Sequence, residues 1–358
     1  MKLKLRTRGW SLAALGMSVN AACINFHPPP KPIPATLVGD APAELWTTGT
    51  ARGVTGPLAV TGSIIAAAAA NRSLVAVSVD SAHELWTAHL PGEVPGGVLA
   101  DGDRLYVGTG RPSGRIQARS LDGTTLWSTS TDQITSPLAS IGDMIMGMNR
   151  RGELVAVNAA TGRIRWRRHA GSSRTAPADA GGGRGLVSTM DSLILYETTA
   201  GRLVARRPAP GVSLSGWQRL GPWLVSGTSE SAIVALDTAS LATAWRVSTD
   251  APVLGPVAIS ADTVWAATRT GTVYQITGGA RPLVRTIAEL HWPLTSGVAL
   301  IGRDLIVGGA DGILRGLNRD GSERWRVQVW PAVDVPPVAL PDGFAAVGGE
   351  GDLHRFTE

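Results

Sequence analysis

A short phrase recurs along this chain at a nearly constant interval, and that period limits the possible folds more than any other feature. The phrase ends in tryptophan: GDAPAELW at Trp46, DSAHELW at Trp86, LDGTTLW at Trp127, NAATGRIRW at Trp166, DTASLATAW at Trp245 and NRDGSERW at Trp325. The first four rings are 40, 41 and 39 residues apart, and the next two steps are 79 and 80. Midway through the two long gaps sit copies that have lost the ring, TTAGRLVA ending at Ala205 and TGGARPLVR ending at Arg285. Eight phrases therefore share one period.

Two further signals keep the same phase. Roughly eleven residues after each anchor comes a Gly or Pro among small and aliphatic residues, as in TGPLAV, VPGGVL, TSPLAS and VLGPVAI. A short apolar run and a polar turn follow, as in DRLYVGT and RDLIVGG. Four short strands per unit, with no 3.6-residue periodicity, predict a β-propeller and not a helical solenoid. In the third unit the pattern predicts strand A at about 135–140, B at 143–148, C at 152–158 and D at 163–168. After Trp325 only A, B and C strands remain, while an orphan strand around Trp46 precedes the first A strand. Pairing these removes two exposed edges. The expectation is an all-β, eight-bladed propeller of four-stranded antiparallel blades over residues 36–358, its ring closed by the N-terminal strand.

Composition agrees with this reading. The 44 Gly and 23 Pro favour turns, and a 44% hydrophobic fraction excludes a disordered chain. Twelve of the eighteen aromatic residues are Trp, so the ring has an architectural use, as a large apolar wedge between neighbouring blades. The net charge of +5 is misleading, because Lys2, Lys4, Arg6 and Arg8 supply four of those charges with no acid before residue 23. The remaining body is nearly neutral and has no general attraction for nucleic acid, which is not expected as a partner.

Those basic residues precede the apolar stretch GWSLAALGMSVNAA and the only cysteine, Cys23. Residues 1–22 read as an export signal, too short and weak for a permanent span. Small residues before a single Cys match the acylation site of bacterial lipoproteins, although Asn20 stands where an aliphatic residue is usual. Acylation at Cys23, ordinary cleavage beside it and a retained anchor remain as alternatives. INFHPPPKPIP follows, and residues 23–35 read as an extended proline-rich tether.

Ala156, Asn158, Thr161, Gly162 and Trp166 spell A-x-N-x-x-T-G-x-x-x-W, which resembles the tryptophan-docking motif of the quinoprotein-like, PQQ-repeat propellers. The resemblance covers roughly residues 40–358 and implies blade-docking roles for Trp46, Trp86, Trp127, Trp166, Trp245 and Trp325. One branch of that family consists of quinone-dependent dehydrogenases. These carry a vicinal cysteine disulfide, calcium ligands, a catalytic Asp and a longer chain, whereas here Cys23 is the single cysteine. Asp122, Asp237 and Asp320 occupy C–D turns, where turn geometry accounts for them. HELWT lacks the second His of a zincin helix, no G-x-S-x-G elbow occurs, and the six His are scattered. No enzyme activity, metal or cofactor is expected.

The other branch consists of smaller, non-enzymatic envelope lipoproteins that serve outer-membrane β-barrel assembly. The resemblance therefore implies an exported periplasmic scaffold, lipid-anchored to the outer membrane and bound to a protein partner such as the barrel insertase. An accessory subunit of another envelope complex, or a quinone enzyme or small-ligand binder using the central channel, are the alternatives. Candidate partner-binding residues are those outside the docking phase on the face carrying D–A and B–C loops. They are Trp292 and Trp330 in successive D–A loops, and Arg72, Arg111, Arg150 and Arg151 in B–C turns, Trp and Arg being the types most enriched in hot spots. Trp217, Trp223 and Trp265 fall in strand phase and are expected in the core.

Overall fold

The computed structural model describes residues 41–50, 53–329 and 331–358, all within the unit Ala35–Glu358. The predicted signal and tether segments, Cys23 and Trp330 lie outside the described residues. Thirty-two strands form eight antiparallel four-stranded sheets. Seven sheets are built from consecutive strands. In the third, A is Ala139–Ile141, B is Met144–Met148, C is Glu153–Asn158 and D is Ile164–His169. The A strand begins four residues later than the pattern predicts, because residues 135–138 belong to the D–A loop.

The eighth sheet closes the ring. Glu44–Gly49 lies antiparallel against Asp352–Thr357 and takes the D position beside Gly343–Val347 and Val338–Leu340. The closing seam has side-chain support as well. Arg355, 5% exposed, donates from Nη1 to the Val79 carbonyl of the first blade at 2.7 Å and forks onto Asp342 at 2.8 and 2.9 Å.

The core lies between blades, not within them. Eight clusters of buried residues occur, each shared by two neighbouring blades. B and C strands are covered on both faces, so they read as continuous apolar runs such as Ile64–Ala69 with no alternation. D strands form the outer edge and are mostly exposed, as in Thr125–Ser130. A strands touch the A strands of adjacent blades and so surround the axis. There the Gly and Pro signal has its reason. A Cβ on Gly97 would lie 2.7 Å from the backbone N of Pro57 in the blade before, so only glycine allows the two backbones to approach.

Candidate functional site

Seven of the eight D strands carry a β-bulge just before the docking position, which turns the ring toward the following blade. In blade 6, which lacks the ring, the bulge follows that position, at Ile287. Trp46, Trp86, Trp127 and Trp166 donate from Nε1 to the carbonyls of Val79, Leu121, Ala159 and Thr198, each in the next C–D turn, at 2.7–3.0 Å. Glycine at that turn serves two ends. Gly162 has φ +70°, and a Cβ there would lie 2.5 Å from the Trp127 ring, while one on Gly123 would lie 2.7 Å from Trp86. In five blades the residue opposite the ring across the ladder is small: Ala76, Ala118, Ala156, Ala235 and Gly316 face Trp86, Trp127, Trp166, Trp245 and Trp325, whereas Trp46 at the closing seam faces Arg355.

Two rings behave differently. Trp245 is buried with its Nε1 unpartnered. Trp325 donates at 2.7 Å to Asp304 Oδ2 of its own blade and stacks on Phe344 of the next, with centroids 5.7 Å apart. Where the ring is missing, bulk is redistributed. Ala205 faces Leu195 instead of Ala, and the receiving turn of the next blade has Leu241, buried with φ +58°, in place of Gly. All of these residues belong to one cluster.

The turn aspartates have the geometry their spacing implies. Asp237 Oδ1 accepts from the backbone N of Ala239 and Ser240 at 3.1 and 2.8 Å and from the Ser240 hydroxyl at 2.7 Å. Asp320 accepts from Ser322 N and Oγ in the same way, and Asp122 from Thr124 N and Ser120 Oγ. The hydroxyl bonds, first Ser240 for Asp237, Ser322 for Asp320 and Ser120 for Asp122, hold these carboxyls below the ordinary aspartate range. Among the described residues no group of three or more His, Cys, Asp or Glu could hold a metal ion.

D–A loops and B–C turns share one face of the ring and are bonded together there, as in Ala70 N to Gly53 O and Arg150 N to Gln133 O. Trp292 lies in the loop between blades 6 and 7 with 48% of its surface exposed. Arg72, Arg111, Arg150 and Arg151 lie in the B–C turns of blades 1, 2, 3 and 3. The structure therefore puts the arginines and Trp292 on one face but not in one cluster, since blades 4 and 5 or blade 8 intervene. Arg151 is committed to Asp132 at 2.6 Å. It lines an open polar groove of about 280 Å³ with Ser130, Thr131, Asp132, Glu153 and Arg167. Trp217 and Trp265 are buried, Trp217 in a loop and not a strand, and Trp223 is half-buried against the core.

A closed ring of eight four-stranded blades with ring-to-turn docking at a 40-residue repeat defines a propeller of the PQQ-repeat class. The family model described as outer membrane protein assembly factor BamB matches residues 39–182, 112–222 and 191–336, and the chain belongs to that family. No curated protein matches the chain. Among solved structures it is similar to BamB from Moraxella catarrhalis, with TM-score 0.73 and 16% identity over 89% of this chain and 100% of the other. It is as similar to the computationally designed Ika8 protein, with TM-score 0.75 and 15% identity over 87% and 98%. The C-terminal WD40 domain of Sif2 follows at 0.72 and 11%, over 89% and 99%. Such spread at low identity establishes the fold alone.

Proposed function

We propose that this protein is a non-enzymatic scaffold in outer-membrane β-barrel protein assembly, exported and tethered by an acylated Cys23. The family match over most of the chain carries this reading. The single cysteine also supports it, since quinone enzymes of the family's other branch resemble one another in a vicinal cysteine pair. The partner, by the same reading the barrel insertase or its periplasmic domains, meets the face of D–A loops and B–C turns. There Trp292 is an exposed aromatic anchor, and Arg72, Arg111 and Arg150 fix orientation. Trp330, outside the described residues, is a second candidate anchor by its place in the sequence alone.

The test is affinity purification from membranes with mass spectrometry, for the wild type and for Trp292→Ala with Trp330→Ala. Barrel-assembly components should co-purify with the wild type. The double variant should melt normally and lose them, since one aromatic anchor commonly accounts for about 2 kcal/mol, more than tenfold in affinity. Retention of the partner by a folded double variant would move the interface to the opposite face. Recovery of a different envelope complex would replace the assembly reading. Labelling with a fatty-acid analogue should mark the wild type and not Cys23→Ser; an unlabelled wild type in the soluble periplasm would remove the tether.

A further inference from the structure

Although the body as a whole is almost neutral, its charge is strongly segregated. Residues 149–207 contain eleven arginines and only four carboxylates, Glu153, Asp179, Asp191 and Glu197, so the remainder of the body is net acidic. The excess concentrates on two adjacent outer strands, Ile164–His169 of blade 3 and Leu203–Pro208 of blade 4. The ladder register makes them equivalent: Arg167 faces Val155, and Arg206 faces Ile194. Arginine doublets, Arg167–Arg168 and Arg206–Arg207, therefore stand at the same height on neighbouring blades. The corresponding pairs are uncharged in blades 1, 2, 6 and 8, as in Thr87–Ala88, Ser128–Thr129 and Thr286–Ile287, and carry a single arginine in blades 5 and 7, Arg246–Val247 and Arg326–Val327, so no other blade has a doublet.

These guanidiniums are not spent on ion pairs. Among the described residues, Arg151 and Arg202 pair with Asp132 and Glu197. Arg165, Arg167, Arg168, Arg206 and Arg207 pair with no carboxylate. Arg168 reaches only the carbonyls of Gly201, Ala200 and Arg167, and Arg206 only the Ser192 hydroxyl. All five are exposed.

Apolar side chains project from the same wall. Leu203 and Val204 are 53% and 41% exposed, between Arg202 and Arg206. Met190, 72% exposed, stands in the B–C turn beside the end of that strand, where Ala209 N bonds Asp191 O.

We propose that the outer wall of blades 3 and 4 is a docking surface for an anionic lipid bilayer. The unneutralised arginines complement the negative surface of a bilayer, each strengthening partitioning by about fivefold near it. The protruding Leu203, Val204 and Met190 supply the shallow apolar insertion that a peripheral surface adds to charge. An acidic peptide is the weaker fit. The wall is the convex outside of a ring, with no cleft to seat a chain, and its exposed apolar residues would gain nothing from a purely acidic ligand. Apart from Met190, which stands at its rim in a B–C turn, this surface is distinct from the loop face proposed above, and either assignment can fail without the other.

Hydrogen exchange of the full chain tests it, with vesicles of phosphatidylcholine alone or with added phosphatidylglycerol. The readout is local, at residues 163–169 and 203–208, so binding through the N-terminal segment does not register. Phosphatidylglycerol vesicles should protect both strands, neutral vesicles should not, and high salt should reverse the effect. Replacing Arg165, Arg167, Arg206 and Arg207 by Gln should lower partitioning by more than about a hundredfold. Leu203→Ser with Val204→Ser should weaken it at unchanged salt dependence. Equal protection by both vesicle types overturns the proposal, with no variant needed. Equal protection by soluble polyglutamate or inorganic phosphate also overturns it, and points to an acidic protein or a free anion instead.

Discussion

At the scale of single residues, the repeat is a set of paired volumes that cross blade boundaries. Trp166 fills space left by Ala156 in its own blade and by Gly201 in the next, and its indole N–H satisfies an otherwise orphaned turn carbonyl. The junction of blades 4 and 5 exchanges these volumes, putting Leu195 of blade 4 where Ala156 stands in blade 3, Leu241 of blade 5 where Gly201 stands in blade 4, and Ala205 where the ring stands. A packed interior felt at the level of one methylene makes such exchanges coupled. We expect Ala205→Trp alone to destabilise by about 1–3 kcal/mol through overpacking. Combined with Leu195→Ala and Leu241→Gly it should be largely tolerated, a coupling that denaturant titration of the single, double and triple variants will measure. Additive losses would show that the ring and its seat are independent. Trp166→Ala, with no such compensation, should cost about 3–5 kcal/mol.

At the scale of the element, the C–D turn is held by a carboxylate or amide that bonds its own backbone. Asn158 accepts from Thr161 N and Oγ1 at 3.1 and 2.9 Å, and Asp237 and Ser240 repeat that arrangement. Because Asp122, Asp237 and Asp320 titrate below the ordinary range in the fold, their contribution is fully present above that range. It is lost as pH falls through the lowered values. The triple Ala variant should therefore melt lower than the wild type at neutral pH, and the gap should narrow in strong acid. A gap that stays constant down to the lowest pH would mean the turns are held by backbone geometry alone.

At the scale of the molecule, one short strand decides whether there is a ring. Glu44–Gly49 covers the edge of Asp352–Thr357, and the seam adds Glu44 to His354 Nδ1 at 2.7 Å and Arg355 to both Val79 and Asp342. Burial pushes the Glu44 carboxyl up, but the bonds from Thr47 and His354 outweigh it and hold the group low. Without the strand, an apolar blade would present an unpaired ladder to solvent. Deleting residues 36–50 should give aggregation or a large fall in melting temperature, read by light scattering and calorimetry. A monomer with unchanged melting would remove the closure argument. Arg355→Ala should weaken the seam more mildly, because the Asp342 carboxylate it leaves behind is exposed to solvent.

The sequence alone determined the blade count, the four-strand unit and the closing strand. Each is written in local periodicity: a two-residue ladder, a turn residue and a 40-residue return. It also determined that the turn aspartates are structural, since spacing within a turn is local. What it left open depends on which residues meet across blades. The seat of each ring in the next blade's glycine, the exchange of bulk between Leu241 and Ala205, and the turn of Trp325 to Asp304 all join residues about twenty or more positions apart. Trp292 illustrates the same divide: its phase marked it as outside the docking set, but only the fold placed it across the ring from the arginines. The arginine wall of blades 3 and 4 was present in the sequence as charge per repeat. It became a surface only when the ring placed two outer strands side by side, because sheet topology, not chain order, decides which side chains share a solvent-facing wall.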